Sequence, residues 1–299
     1  MRRGCALLFL SVGLAAAQRA DEELSFDFLH NQIVLRAAIN GDGPYNVLLD
    51  TGTHASTIDL RLARKLRIPL TRLRGESQGA GNRRVIGQQA ILEELRLGEL
   101  TVTGLAAAAL DLSKLSTELG RPLHGVLGHN FLVSRITQID YFRRRIRFLA
   151  LPVVSLPDDA RRITFPMQFR AGSILPVLEE CYVNGTRLTV TLDTGSSLGL
   201  VLFPQAVGFL GLKELARAGI PMNATGYRGR ARLMKGWVRS VALKTIDLGA
   251  IEVAYVESGY GEEEALENRG GNLGNAVLQD FILTLDYPNR IVVLESAAE

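Results

Sequence analysis

The chain has 299 residues, 47% hydrophobic and 22% charged, with 30 glycines and a formal net charge of +3. This composition excludes collagen, coiled coil and disorder, and the length allows one large domain or two ordinary ones. Without Arg2 and Arg3 the charge falls from +3 to +1, so it gives no argument for a nucleic-acid partner.

The N-terminus reads as a signal peptide over residues 1–17. Arg2 and Arg3 form a basic start, Cys5 to Ala17 form an apolar stretch, and Ala15-Ala16-Ala17 is a small-residue cleavage motif. The apolar stretch is short for a membrane span. The expected location is secreted or periplasmic, with an uncleaved anchor as the alternative. Beyond the leader, Cys181 is the one cysteine, so no intrachain disulfide is expected. It lies in the apolar run from Leu178 to Val183 and reads as a buried strand residue.

Past the leader, Asn40-Gly41 marks a hairpin turn, and Val47-Leu48-Leu49 is a β-prone run ending at Asp50. A helix is expected next, capped by Ser56 or Thr57, with Asp59 in its first turn. Ile58, Leu62 and Leu66 share its face and Pro69 stops it. A glycine-rich run follows at Gly79-Ala80-Gly81-Asn82, and an apolar-apolar-Gly element at Val126-Leu127-Gly128. Arg143-Arg144-Arg145 reads as a solvated hairpin tip. Pro152, Pro157, Asp158 and Asp159 mark a linker.

The pattern then repeats. INGDGPYNVLLDTG at residues 39–52 is matched by VNGTRLTVTLDTG at 183–195. The segment from Val126 to Leu149 is matched by one starting at Asn272. Asp50 to Gly128 spans 78 residues and Asp193 to Gly274 spans 81, while Gly128 to Asp140 and Gly274 to Asp286 both span 12. Two lobes are expected, 24–150 and 160–299.

A single Asp-Thr-Gly is commonly only a turn. Two copies, each after an apolar strand and each before a matching glycine element, imply a pseudo-twofold axis that brings Asp50 and Asp193 together. Two close carboxylates share one proton. The ionised one can act as general base on water and the protonated one as acid toward a peptide carbonyl. Gly52 and Gly195 permit the tight turns. Thr53 and Ser196 are expected to donate hydroxyl hydrogen bonds to the outer carboxylate oxygens. Thr51 and Thr194 are expected to tie the loops together.

These motifs, LLDTGT at Leu48–Thr53 and TLDTGS at Thr191–Ser196, resemble those of the aspartic protease superfamily of pepsins and retropepsins, in particular bacterial two-lobed retropepsin-like proteins. The resemblance covers nearly all the chain after the leader. It implies a mainly β, bilobal, closed-barrel acid-protease fold of two duplicated lobes with few short helices. It implies catalytic roles for Asp50 and Asp193, and an interlocking "fireman's grip" for Thr51 and Thr194. It places Gly128 and Gly274 in loops crossing beneath the two turns. It also implies flaps, at Gly79 and Gly81 in the first lobe and around Tyr227 in the second. Asn272 departs from the pattern, standing where an apolar residue is expected. His54, after Thr53, reads as a surface histidine.

Other chemistries find little support. His30, His54, His124 and His129 have no zinc-motif spacing, and there is no GxSxG elbow. The glycine runs lack the Lys-Ser/Thr of a phosphate loop. The expected protein is therefore an aspartic endopeptidase with a polypeptide substrate, no cofactor and no metal, and its site is complete in a monomer. The alternative is a non-catalytic peptide-binding module that keeps the fold.

Overall fold

The computed structural model describes residues 22–72, 87–150, 161–168, 175–226, 229–258 and 270–296. The leader 1–17 and the linker residues Pro152, Pro157, Asp158 and Asp159 lie outside them. Among the described residues no helix is long and apolar enough to cross a membrane.

The first repeat contains β1 (Glu22–Ser25), β2 (Asp27–Leu29), β3 (Gln32–Ile39), β4 (Asp42–Leu49), β5 (Ser56–Asp59), α1 (Leu60–Lys65) and β6 (Thr71–Arg72). It continues with β7 (Gln88–Leu97), β8 (Leu100–Leu110), α2 (Ser113–Leu119), β9 (Gly125–Leu127), α3 (His129–Leu132), β10 (Ile136–Asp140) and β11 (Arg145–Leu149). The second contains β12 (Arg162–Pro166), β13 (Val177–Val183), β14 (Thr186–Asp193), β15 (Leu200–Leu202), α4 (Pro204–Phe209), α5 (Lys213–Arg217) and β16 (Ile220–Gly226). It ends with β17 (Gly229–Leu243), β18 (Ile246–Ser258), β19 (Gly271–Gly274), α6 (Asn275–Leu278), β20 (Phe281–Asp286) and β21 (Ile291–Ser296).

In each lobe six strands close on themselves. The first ring runs β3-β4-β9-β5-β8-β7 and closes where Ala38 and Ile39 of β3 pair with Arg96 and Leu95 of β7. The second runs β13-β14-β19-β15-β18-β17 and closes where Cys181, Tyr182 and Val183 meet Leu243, Ala242 and Val241. Closure removes most exposed strand edges. Alternation along the strands fills each barrel: Ile33, Leu35, Ala37 and Ile39 of β3 all lie in the main apolar core. Cys181 is fully buried there, and burial pushes its thiol up to about 12, so it serves as packing.

The hairpin turns follow their sequence. Asn40 and Gly41 both have positive φ (49° and 79°), as do Asn184 and Gly185 (49° and 80°), the two-residue turn that matches strand twist. The helix expected after the first motif starts later than its sequence suggests. Ser56, Thr57 and Ile58 instead open β5, paired parallel with Ala107, Ala108 and Ala109 of β8. The β-branched Thr57 and Ile58 suit that buried strand. Asp59 caps α1, its carboxylate accepting from the Arg61 and Leu62 amides at 3.0 and 3.1 Å.

A third sheet, β1-β11-β10-β20-β21-β12, joins the lobes. Its centre is the antiparallel pair β10–β20, in which Gln138 faces Thr284. These two are equivalent in the repeat, 146 residues apart. Equivalent residues that pair with each other lie on the symmetry axis. Gln138 Nε2 donates to Thr284 Oγ1 across that axis at 3.1 Å. The axis recurs at the ends of these strands, where Asp140 and Asp286 each accept from a turn amide three residues on, at 2.9 and 3.0 Å.

Candidate active site

Both Asp-Thr-Gly loops leave a central strand and turn above the other lobe's loop. β4 runs parallel to β9, and Asp50 N–H donates to Leu127 O at 3.0 Å. β14 runs parallel to β19, with Asp193 beside Gly274. Thr51 and Thr194 are fully buried. Thr51 N–H donates to Thr194 Oγ1 at 3.1 Å, and Thr194 N–H donates to Thr51 Oγ1 at 2.9 Å. Each hydroxyl then donates into the opposite lobe, Thr51 to Leu192 O at 2.7 Å and Thr194 to Leu49 O at 3.0 Å. Four bonds lock one loop to the other.

That lock sets the carboxylates face to face. A Cβ on Gly52 would overlap the Asp193 carboxylate, and one on Gly195 would overlap the carboxyl of Asp50. Only glycine allows the approach, and here its need is steric. The loop amides also aim inward. Gly52 N–H donates to Asp50 Oδ1 at 2.8 Å, and Gly195 N–H donates to Asp193 Oδ1 at 3.0 Å.

The crossing loops pass directly beneath. At Gly128 a side chain would meet the Thr53 methyl and the Ala55 backbone. At Gly274 it would meet Leu198 O and Ser196. His129 N–H donates to Thr53 O at 3.0 Å, and Asn275 N–H donates to Ser196 O at 2.9 Å. Ser196 Oγ accepts from Leu198 N–H at 3.4 Å. A side-chain amide takes the part expected of the Ser196 hydroxyl: Asn272 Nδ2 donates to Asp193 Oδ2 at 2.9 Å.

Asp50 and Asp193 keep partial solvent contact. Dense packing still dominates at Asp50. Burial first, and then the Asp193 charge, hold its carboxyl above the usual carboxylate range, against the opposing Gly52 amide. One proton is therefore retained in the pair when ordinary carboxylates have lost theirs.

The chain belongs to the aspartyl protease family. A family model described as aspartyl protease matches residues 35–131 and 179–287, more than half the chain and one segment in each lobe. The two matched segments contain both Asp-Thr-Gly loops and both crossing loops. No curated protein matches the chain significantly.

Several residues that brace the two loops carry no motif. Asn31 Nδ2 donates to Ser197 O at 3.0 Å, and Gln32 Nε2 donates to Gly195 O at 2.9 Å, both from lobe one onto the second loop. Asn275 is fully buried; it donates to Asn31 O and Thr194 O at 2.8 and 2.7 Å and accepts from Tyr141 OH at 2.7 Å. The one available signal was the repeat itself: Tyr141 and Tyr287 follow equivalent aspartates.

His54 is half-buried, with Nε2 shielded from solvent, which corrects its reading as a surface residue. α3 is tied to the same loop, where Asn130 N–H donates to His54 O at 3.3 Å. Burial, then the nearby His54 charge, pull the His129 imidazole below its ordinary range. His124 is held elsewhere, accepting from Asn46 N–H at 3.2 Å. Among the described residues no group of three or more His, Cys, Asp or Glu side chains is placed to hold a metal ion. Gly79, Gly81 and Tyr227 lie outside the described residues, although β16 and β17 pair as far as Gly226 and Gly229 on either side of Tyr227.

Proposed function

We propose that the protein is an endopeptidase that hydrolyses peptide bonds with a water activated by Asp50 and Asp193. The observation that carries this reading is the close approach of each loop glycine to the opposite lobe's carboxylate. Loops that approach so closely bring the two carboxyl groups within reach of one shared proton.

The ionised carboxylate takes a proton from water as the water oxygen bonds to the peptide carbonyl carbon. The protonated carboxyl gives its proton to the carbonyl oxygen, and a neutral gem-diol results. On collapse the C–N bond breaks. The amine nitrogen takes the proton that the base had accepted, and a diol hydroxyl returns one to the acid. The dyad ends as it began, and no covalent intermediate forms.

The substrate of this reading is an extended polypeptide held between the lobes by strand-type pairing. Activity should be greatest at acid to mildly acid pH, since the dyad needs one proton. Export to the periplasm or the exterior, directed by residues 1–17, is part of the same proposal.

The test is cleavage of a mixed peptide library by purified protein from about pH 3 to 8, beside Asp50→Asn. Cleavage by wild type and none by a folded variant supports the reading. A wild type that binds library peptides and cuts none at any pH means a binding module, and overturns it.

A further inference from the structure

The two halves of the site differ at the position two residues before the crossing-loop glycine. Asn272 in β19 sits beside Thr191 of β14. The equivalent place in β9, beside Leu48 of β4, holds Val126. Val126 is buried in a small apolar cluster with Val34, Leu48, Leu110 and Leu123, and it has no group to donate. Asn272 instead turns its amide to Asp193 Oδ2 at 2.9 Å. Each Oδ1 accepts its own loop amide, and the Asn272 bond distinguishes the two carboxyl groups at an outer oxygen.

Asn272 Oδ1 is buried and has no hydrogen-bond partner among the described residues. The side chain is thus oriented by its one polar contact, the Asp193 carboxylate. An amide N–H favours an ionised acceptor. A protonated Asp193 Oδ2 would turn the amide over and donate to its oxygen.

We propose that Asn272 is a positioning residue that holds Asp193 ionised and leaves the shared proton on Asp50, making Asp193 the general base and Asp50 the general acid of the free enzyme. This assignment rests on the dyad reading above. The surroundings of Asp50 agree with it. Burial and the Asp193 charge raise its carboxyl. Tyr287, whose phenol is raised by burial and by Asp50, packs against His129, whose imidazole is lowered by burial and then by His54. Beneath the dyad the phenol is neutral at working pH, and His129 takes a proton only below the usual histidine range.

The experiment is carboxyl 13C NMR titration of aspartate-labelled full chain, with Asp50→Asn and Asp193→Asn identifying the two resonances. It is run on wild type and on Asn272→Leu, which keeps the shape and removes the donor. Asn272→Asp serves as a second variant should the first not fold. In wild type Asp193 should ionise first and Asp50 stay protonated to higher pH. In Asn272→Leu the Asp193 midpoint should rise by about one unit, a tenfold gain in proton affinity. The acid limb of kcat/KM on a cleaved library peptide should move with it. Asn272→Asp should move both further in the same direction.

An Asp50 that ionises first in wild type overturns the proposal, as do titrations and an acid limb unchanged in the Asn272 variants. If Asp50→Asn and Asp193→Asn both still cleave peptide, the dyad reading itself falls. If both are inert and the order is unchanged, only the assignment of the proton falls.

Discussion

Thr51 and Thr194 hold each other by reciprocal bonds, each backbone N–H donating to the other's hydroxyl at 3.1 and 2.9 Å. They are buried, lie on either side of the pseudo-twofold axis and carry no charge. Their geometry converts a duplicated lobe into a single site. The strands deliver two loops, and this pair decides how close the loops come.

Replacing Thr194 with Val keeps the shape and removes the hydroxyl. Thr51 N–H and Leu49 O then lose a buried partner. Each such loss costs about 1–3 kcal/mol. Urea unfolding should show a lower midpoint for Thr194→Val, whereas Thr194→Ser stays within about 1 kcal/mol of wild type because its hydroxyl persists. Equal effects of Val and Ser would mean the methyl, not the hydrogen bond, does the holding.

Gly52→Ala and Gly195→Ala should each abolish most activity with the fold retained. The added Cβ falls on the opposite carboxyl group, which must move. A displacement of about 1 Å at a reacting group costs on the order of 100-fold in rate. Circular dichroism and peptide cleavage measured together would show this. Near-normal kcat in either variant would contradict the approach of loop to carboxylate.

The pH dependence of stability follows from Asp50. Its native pKa is raised above the unfolded value, by burial first and then by Asp193. The stability it contributes is full below about 3.9, the unfolded carboxylate pKa, and is lost as pH rises through the raised native value. Asp50→Asn has no such loss. Its stability relative to wild type should therefore grow from pH 4 toward neutrality, by at most about 1.4 kcal/mol per unit. Urea unfolding at several pH values reads this directly. A difference that does not change with pH would contradict it.

Asn275 and Tyr141 form the buried brace beneath the second loop. Asn275→Leu leaves Tyr141 OH, Asn31 O and Thr194 O without their amide partner, while Tyr141→Phe leaves only Asn275 Oδ1. The first should cost more than the second, which should fall at about 1–3 kcal/mol. The double variant should cost less than the two combined, because both remove the same bond. Strict additivity would show that the bond contributes nothing.

Much of this was legible in the residues. The register of the repeat placed Asp50 against Asp193 and Gly128 against Gly274, because a duplicated lobe must use equivalent strands for equivalent ends. Asn40-Gly41 and Asn184-Gly185 announced their turns through their tolerance of positive φ. The start of α1 was not legible, since Ser56-Thr57 suits a helix cap and a strand equally until β8 is there to pair with it. Asn272 could be seen as a departure, but its use could not, because its partner lies 79 residues away. Asn31, Gln32 and Asn275 act through long-range contacts with backbone carbonyls, and no local pattern records those.

The central claim is that the two lobes supply one catalytic unit. The most direct measurement is kcat/KM for wild type, Asp50→Asn, Asp193→Asn and the double variant on one cleaved peptide. Residues that act as a unit are strongly non-additive, so each single variant should fall to the level of the double. Either single variant retaining substantial activity, or losses that multiply in the double, would contradict a shared dyad.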